Sequence, residues 1–192
     1  MVLASLNPDS SAQVVQDVME RFSEVGIEIV ATDGKSYVVQ SNQYLMNRLQ
    51  SEMIGYTLCP VDHVPTPWVK ITIAAHPITL RKVQDFLSAK VYSGLAFVPV
   101  SIGSLDVMPT GMDKAFALKE LCKRELIPVE HTVAIGGHFS DITLMKAAGH
   151  AVAVGNAPPE VKVVADEIVS NCIDGGVGEY IYSLVKRYTQ SN

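Results

Sequence analysis

Cysteine is scarce in this chain, and its placement points away from covalent bracing. Cys59, Cys122 and Cys172 are far apart, odd in number and outside any metal-ligand spacing, which reads as buried, reduced thiols. No Lys/Arg cluster occurs and the net charge is −5, so the electrostatic footprint of a nucleic-acid binder is absent. The first residues, MVLASLNPDSS, have neither the basic nor the apolar region of a signal peptide. No apolar run approaches the roughly 20 residues that span a bilayer, so no membrane partner is expected and the expected compartment is cytoplasmic. Internal repeats and low-complexity tracts are also lacking. What remains is a 192-residue chain, 48% hydrophobic and 18% charged, long enough for one ordinary domain or two small ones.

The first half carries mixed signals. Asn7-Pro8-Asp9-Ser10-Ser11 supplies N-cap chemistry for a helix with Val14, Val15, Val18, Met19 and Phe22 at helical spacing. Segments 27–32 and 36–40 flank Asp33-Gly34, a two-residue hairpin signal. A helix over 42–54 places Leu45, Met46, Leu49 and Met53 on one face, and the proline-rich 55–67 reads as a connecting loop. Val69, Ile71 and Ile73 alternate with Lys70 and Thr72 as in a strand. Pro77 starts a helix carrying Leu80, Val83 and Leu87, followed by strands over 96–102 and 104–108. This pattern predicts a small α+β domain, its sheet antiparallel and its helices on one face.

From Pro109 the character changes to α/β. A helix over Lys114–Glu125 leads to an apolar run (Val133, Ala134, Ile135) that ends in Gly136-Gly137. Ser140-Asp141 then opens a helix, and a second run, 151–154, ends in Gly155-Asn156. Strand, glycine turn, helix, strand is a βαβ unit, which builds parallel sheet and gathers its loops where ligands bind. Helical and strand signals follow near Pro158-Pro159, Ile168 and Gly175-Gly176. The expected domains are 1–108 and 109–192.

TGMDKAFALKEL (110–121), AIGGHFSDITLMKAAGHAVAVGNAPPEVKVVAD (134–166) and DGGVGEYI (174–181) resemble, in order and spacing, the carboxyl-terminal core of haloacid dehalogenase-type (HAD) phosphatases of the Cof-like branch. The resemblance implies an incomplete HAD-type Rossmann-like parallel-sheet core over 109–192 and an α+β (C2-type) cap domain over 1–108. It further implies a phosphomonoester hydrolase in which an aspartate of a D-x-D-G-T segment attacks phosphorus. A lysine and a Ser/Thr motif hold the phosphoryl oxygens, and a G-D-x-x-N-D loop supplies carboxylates for Mg²⁺. Lys114, spaced from Gly111 and Ala117-Leu118 as in the family, is the phosphate-binding lysine by resemblance.

The chain departs from the pattern at several points. Gly136 matches the leading glycine of the metal loop and Asp141 its last aspartate. Gly137 stands where the first metal-binding aspartate should be, and Ser140 where the asparagine should be. Asp141 is left as a remnant metal ligand or a helix N-cap. His138 and Asn156 are further loop residues of the site, His138 reading as a surface histidine. No D-x-D-G-T occurs: in the one Asp-Gly on an apolar run before Lys114, Asp33-Gly34, Ala31 occupies the nucleophile's position. The Ser/Thr motif has no match either. The expectation is a truncated, catalytically inactive phosphatase homologue acting as a binding or interaction protein. The alternative is a Mg²⁺-dependent phosphatase for small phosphomonoesters such as sugar phosphates, its nucleophile segment supplied by a partner or a longer parent chain. A small phosphorylated ligand could be held among Lys114, the Gly136-Gly137 turn and Asp141 by backbone donors alone. The strand Val133–Gly136 is expected to have an unpaired edge, through which the chain self-associates or meets a partner chain.

Overall fold

The computed structural model describes residues 4–190. Its contacts divide into two units, Met1–Gly111 and Met112–Asn192.

In the first unit Asn7 caps α1 (Pro8–Arg21) by accepting the Ser10 N–H. Strands β1 (Gly26–Ala31) and β2 (Ser36–Gln40) form the Asp33-Gly34 hairpin, whose Gly34 sits at φ +77°. The Asp33 carboxylate fixes the turn by accepting from the Lys35 N–H and, at 2.7 Å, from the Tyr37 hydroxyl. Then follow α2 (Gln43–Ser51, capped by Asn42), β3 (Tyr56–Leu58), β4 (Trp68–Ala74), α3 (Pro77–Ser88), β5 (Leu95–Ser101) and β6 (Ser104–Pro109). The sheet order is β3-β2-β1-β4-β6-β5, antiparallel except for the β2–β3 pair. β3 lies inside the segment expected to be only a loop. At three residues, all exposed, it carries no alternation to read.

The helices do not share one face, which corrects the expectation. Val14, Val15 and Val18 of α1 and Leu80, Val83 and Leu87 of α3 pack with Ile27, Ile29, Ile71, Ile73, Leu105 and Val107 in one core. Leu45 and Leu49 of α2 pack with Val38 and Ala74 in a second. Val38 and Ala74 neighbour Tyr37 and Ile73 in sequence, and successive strand residues point to opposite faces. So α2 covers the reverse side. There a row of polar residues crosses three strands, Glu28 opposite Thr72 and Thr72 opposite Asp106. Arg48 of α2 reaches Glu28 at 2.6 Å, while the Thr72 hydroxyl donates to Asp106 at 2.7 Å.

The second unit is smaller. Helix α4 (Lys114–Glu125) is capped by Asp113, which accepts the Phe116 N–H, and ends at Leu126 with φ +56°. After it come β7 (Val133–Gly136), a 3-10 turn (Phe139–Asp141), α5 (Ile142–Ala147), β8 (His150–Val154), α6 (Pro159–Lys162), β9 (Glu167–Val169) and α7 (Gly176–Gln190). The strands are parallel in the order β7-β8-β9, so β7 is an edge. The small core is built from Ala134, Met145, Ala151, Ala153, Val154, Ala157 and Val161. The cysteines do not share one environment as expected: Cys122 is buried, Cys59 half-buried and Cys172 exposed, all with free thiols. Among the described residues no helix is long and apolar enough to cross a membrane.

Candidate functional site

The site sits where β7 ends. Gly136 is buried, and a Cβ there would lie 2.7 Å from the Asp141 Cβ and 2.8 Å from the Met145 sulfur. Only the missing side chain lets the 3-10 turn and α5 fold back onto the end of the strand. Gly137 is confined differently. Its backbone needs no positive φ, but a Cβ would lie 2.8 Å from Cγ2 of Val154 on β8.

Asp141 is the centre of the turn. One carboxylate oxygen pairs with the Lys114 ammonium from the first position of α4. The other accepts the N–H groups of Gly137 and His138, both at 3.0 Å. Its side chain is 15% exposed against 53% for Lys114, so solvent reaches the pair from the lysine's side. Burial pushes the Asp141 carboxyl up, but the Lys114 hydrogen bond and the two N–H donors outweigh it. The result is a pKa below the ordinary carboxylate value. Asp141 holds the N-cap position of α5 as expected, but its side chain makes no cap bond in that helix; it accepts the His138 N–H instead, as half of a capping box on the 3-10 turn.

The other expected residues divide. Ser140 is half-buried in the 3-10 turn, and His138 is exposed with its ring edge-on to Phe139 at 5.9 Å. Asn156 lies apart from them. Its side-chain oxygen accepts the Cys172 N–H at 2.9 Å, bracing the loop after β8 to the turn before α7. Lys114, Gly136, Gly137, His138 and Asp141 do come together. Val154 belongs with them and was missed, because nothing in a run of apolar strand residues marks which one faces a loop glycine. Among the described residues no group of three or more His, Cys, Asp or Glu could hold a metal ion. The turn offers one carboxylate, both of whose oxygens are already engaged.

Known proteins share this fold. A family model described as haloacid dehalogenase-like hydrolase matches residues 6–181. Phosphatase YwpJ of Bacillus subtilis is 38% identical over 72 residues, 38% of this chain and 25% of that protein. Pyridoxal phosphate phosphatase YbhA of Escherichia coli is 32% identical over 79 residues, 41% of this chain and 29% of that protein. The matched segments thus span a quarter to a third of those relatives' length. The solved structure of a haloacid dehalogenase-like hydrolase from Bacteroides thetaiotaomicron superposes with a TM-score of 0.82 at 23% identity, covering 94% of this chain and 68% of that one. A Thermotoga maritima structure gives a TM-score of 0.74 at 21% identity, covering 90% and 65%. These two likenesses establish the fold, and the family model's match over nearly the whole chain carries the assignment: this chain belongs to the haloacid dehalogenase-like hydrolases.

Proposed function

We propose that these 192 residues do not hydrolyse phosphomonoesters by themselves and serve as a binding or interaction member of a phosphatase family. The observation that carries this reading is the closed turn after β7. The position of the expected first metal ligand is a glycine with Val154 packed against it. The remaining carboxylate is held by Lys114 and two backbone N–H groups. Mg²⁺ takes about six oxygen ligands in a near-octahedral shell, and this donor set does not fit it.

The surface on which this reading places the interaction is the free edge of β7. The His150 N–H donates to the Thr132 carbonyl. Strand alternation then directs the groups of Ala134 to β8, and those of Val133 and Ile135 outward. A parallel strand from a further polypeptide segment, on this or another chain, would satisfy them. The solved relative that this chain covers to 68% has about a third of its length left over to supply one.

The deciding experiment is a Mg²⁺-dependent assay of this chain alone on p-nitrophenyl phosphate. Background turnover is expected, and turnover well above background overturns the proposal. Light scattering at micromolar concentration, with hydrogen exchange on Val133 and Ile135, tests the edge. A strict monomer with both amides protected sinks it.

A further inference from the structure

We infer that the first unit binds a small, uncharged polyhydroxylated molecule, the size of one sugar ring, in the cleft between α2 and the β5–β6 hairpin. The cleft has a volume of about 350 Å³, walled by Tyr44, Arg48 and Glu52 of α2 and by Val100, Ser104 and Asp106 of the hairpin. Small-ligand pockets begin at about 300 Å³. Ser104 is the residue that points to an occupant. It pairs with Ala74, which packs under α2, so its side chain stands on the reverse face with that of Asp106. It is 6% exposed, lines the cleft, and its hydroxyl has no hydrogen-bond partner among the described residues. Burying a hydroxyl without a partner is unfavourable, and a ligand hydroxyl in the cleft removes that penalty.

The charges around the cleft are already paired. Arg48 meets Glu28 at 2.6 Å and Glu52 at 3.1 Å, and Lys70 meets Asp106 at 3.4 Å. Three carboxylates against two cations leave no unmatched positive charge, so a phosphate group is repelled there. What remains is neutral hydrogen-bonding capacity. The Tyr44 and Ser104 hydroxyls are free, the Asp106 oxygens have further lone pairs, and Arg48 has N–H groups beyond those on its two carboxylates. Donors and acceptors interleaved in this way match the hydroxyls of a polyol, each of which gives one proton and accepts others. The Tyr44 ring, edge-on to His76 at 5.9 Å, and Val100 add apolar surface for the carbon skeleton.

The walls are fixed in advance. The Asn42 amide ties the start of α2 to the Glu24 and Ala74 carbonyls, each at 2.9 Å, and the buried Glu28 anchors Arg48. The cleft also lies away from the unit's exit: from Ser104 to Pro109 β6 runs roughly 17 Å before the chain leaves at Gly111. This site is in a different unit from the turn after β7, and the inference stands or falls independently of the proposed function.

The test is an amide NMR titration of the intact chain with D-glucose, D-ribose, myo-inositol and sorbitol, with D-glucose 6-phosphate and inorganic phosphate for contrast. At least one neutral compound is expected to move the Ser101, Gly103 and Ser104 amides saturably, and inorganic phosphate to leave them still. Ser104→Ala removes only the unpartnered hydroxyl. It is expected to melt no lower than the parent and to weaken binding about two- to tenfold. Tyr44→Phe should weaken it to a similar degree. Stillness of those amides with every neutral compound overturns the inference, and so does D-glucose 6-phosphate binding as tightly as D-glucose. A Ser104→Ala protein that melts well below the parent also overturns it, because the hydroxyl would then serve the fold.

Discussion

Restoring a carboxylate at position 137 is the sharpest perturbation of this turn. In Gly137→Asp the new Cβ starts 2.8 Å from Val154 Cγ2, where carbon contacts settle at about 3.5–4.0 Å. One of the two must therefore move by roughly 1 Å. Val154 is buried in the central strand of a three-stranded sheet, and valine has one strongly preferred χ1, so its methyl cannot swing aside at little cost. Overpacking of this kind costs about 1–3 kcal/mol. In a unit of this size that lowers the melting temperature by roughly 5–20 °C. Val154→Ala alone also destabilises, by about 1–3 kcal/mol for two buried methyl groups. In the double variant the alanine opens the space that the aspartate needs. A double-mutant cycle by calorimetry or denaturant unfolding should show favourable coupling of about 1 kcal/mol or more. Additivity within about 0.5 kcal/mol would refute the packing argument and return Gly137 to being merely a lost ligand.

Three further outcomes are expected. Asp141 has its folded pKa lowered, so its contribution is present above the unfolded carboxyl value near 3.8 and is lost as pH falls through the folded one; Asp141→Asn should be less stable at pH 7, by about 1–2 kcal/mol, and the gap to the parent should narrow progressively as pH falls below 3.8 in urea unfolding. Arg48→Ala leaves Glu28, 1% exposed, without its cation and should cost about 3–5 kcal/mol, while Arg48→Met with Glu28→Gln should cost much less; equal losses would contradict a buried pair. Leu126→Gly removes a left-handed leucine, worth about 1–2 kcal/mol, against about 0.4–1 kcal/mol of extra unfolded-state freedom. It should therefore raise stability by about 0.5–1 kcal/mol, and a loss would show that the exposed side chain contributes contacts.

The elements with strong local signals were readable in advance. Asn7, Asn42 and Asp33 each begin or turn an element through a side chain that accepts from the backbone just after it, and Pro77 starts α3 through its fixed φ, so each sits where its chemistry says. The sidedness of α2 was not readable, because a helical stripe says that a face is buried without saying which side of a sheet buries it. The site was legible in its residue types and order. Its state was not: the capture of Asp141 by Lys114, 27 positions away, and the contact of Gly137 with Val154 depend on how three elements close together.

The polar row beneath α2 has a consequence for how this sheet stays in register. Glu28, Thr72 and Asp106 are side by side on three adjacent strands, all turned to the reverse face. A one-residue slip of any of these strands would turn its member into the apolar core beneath α1 and α3. A carboxylate there has no partner, so the slipped sheet is penalised far more than a mismatch of aliphatic residues would be. The row therefore works as a key, admitting one alignment of β1, β4 and β6. Its members should change together, with Arg48, or not at all.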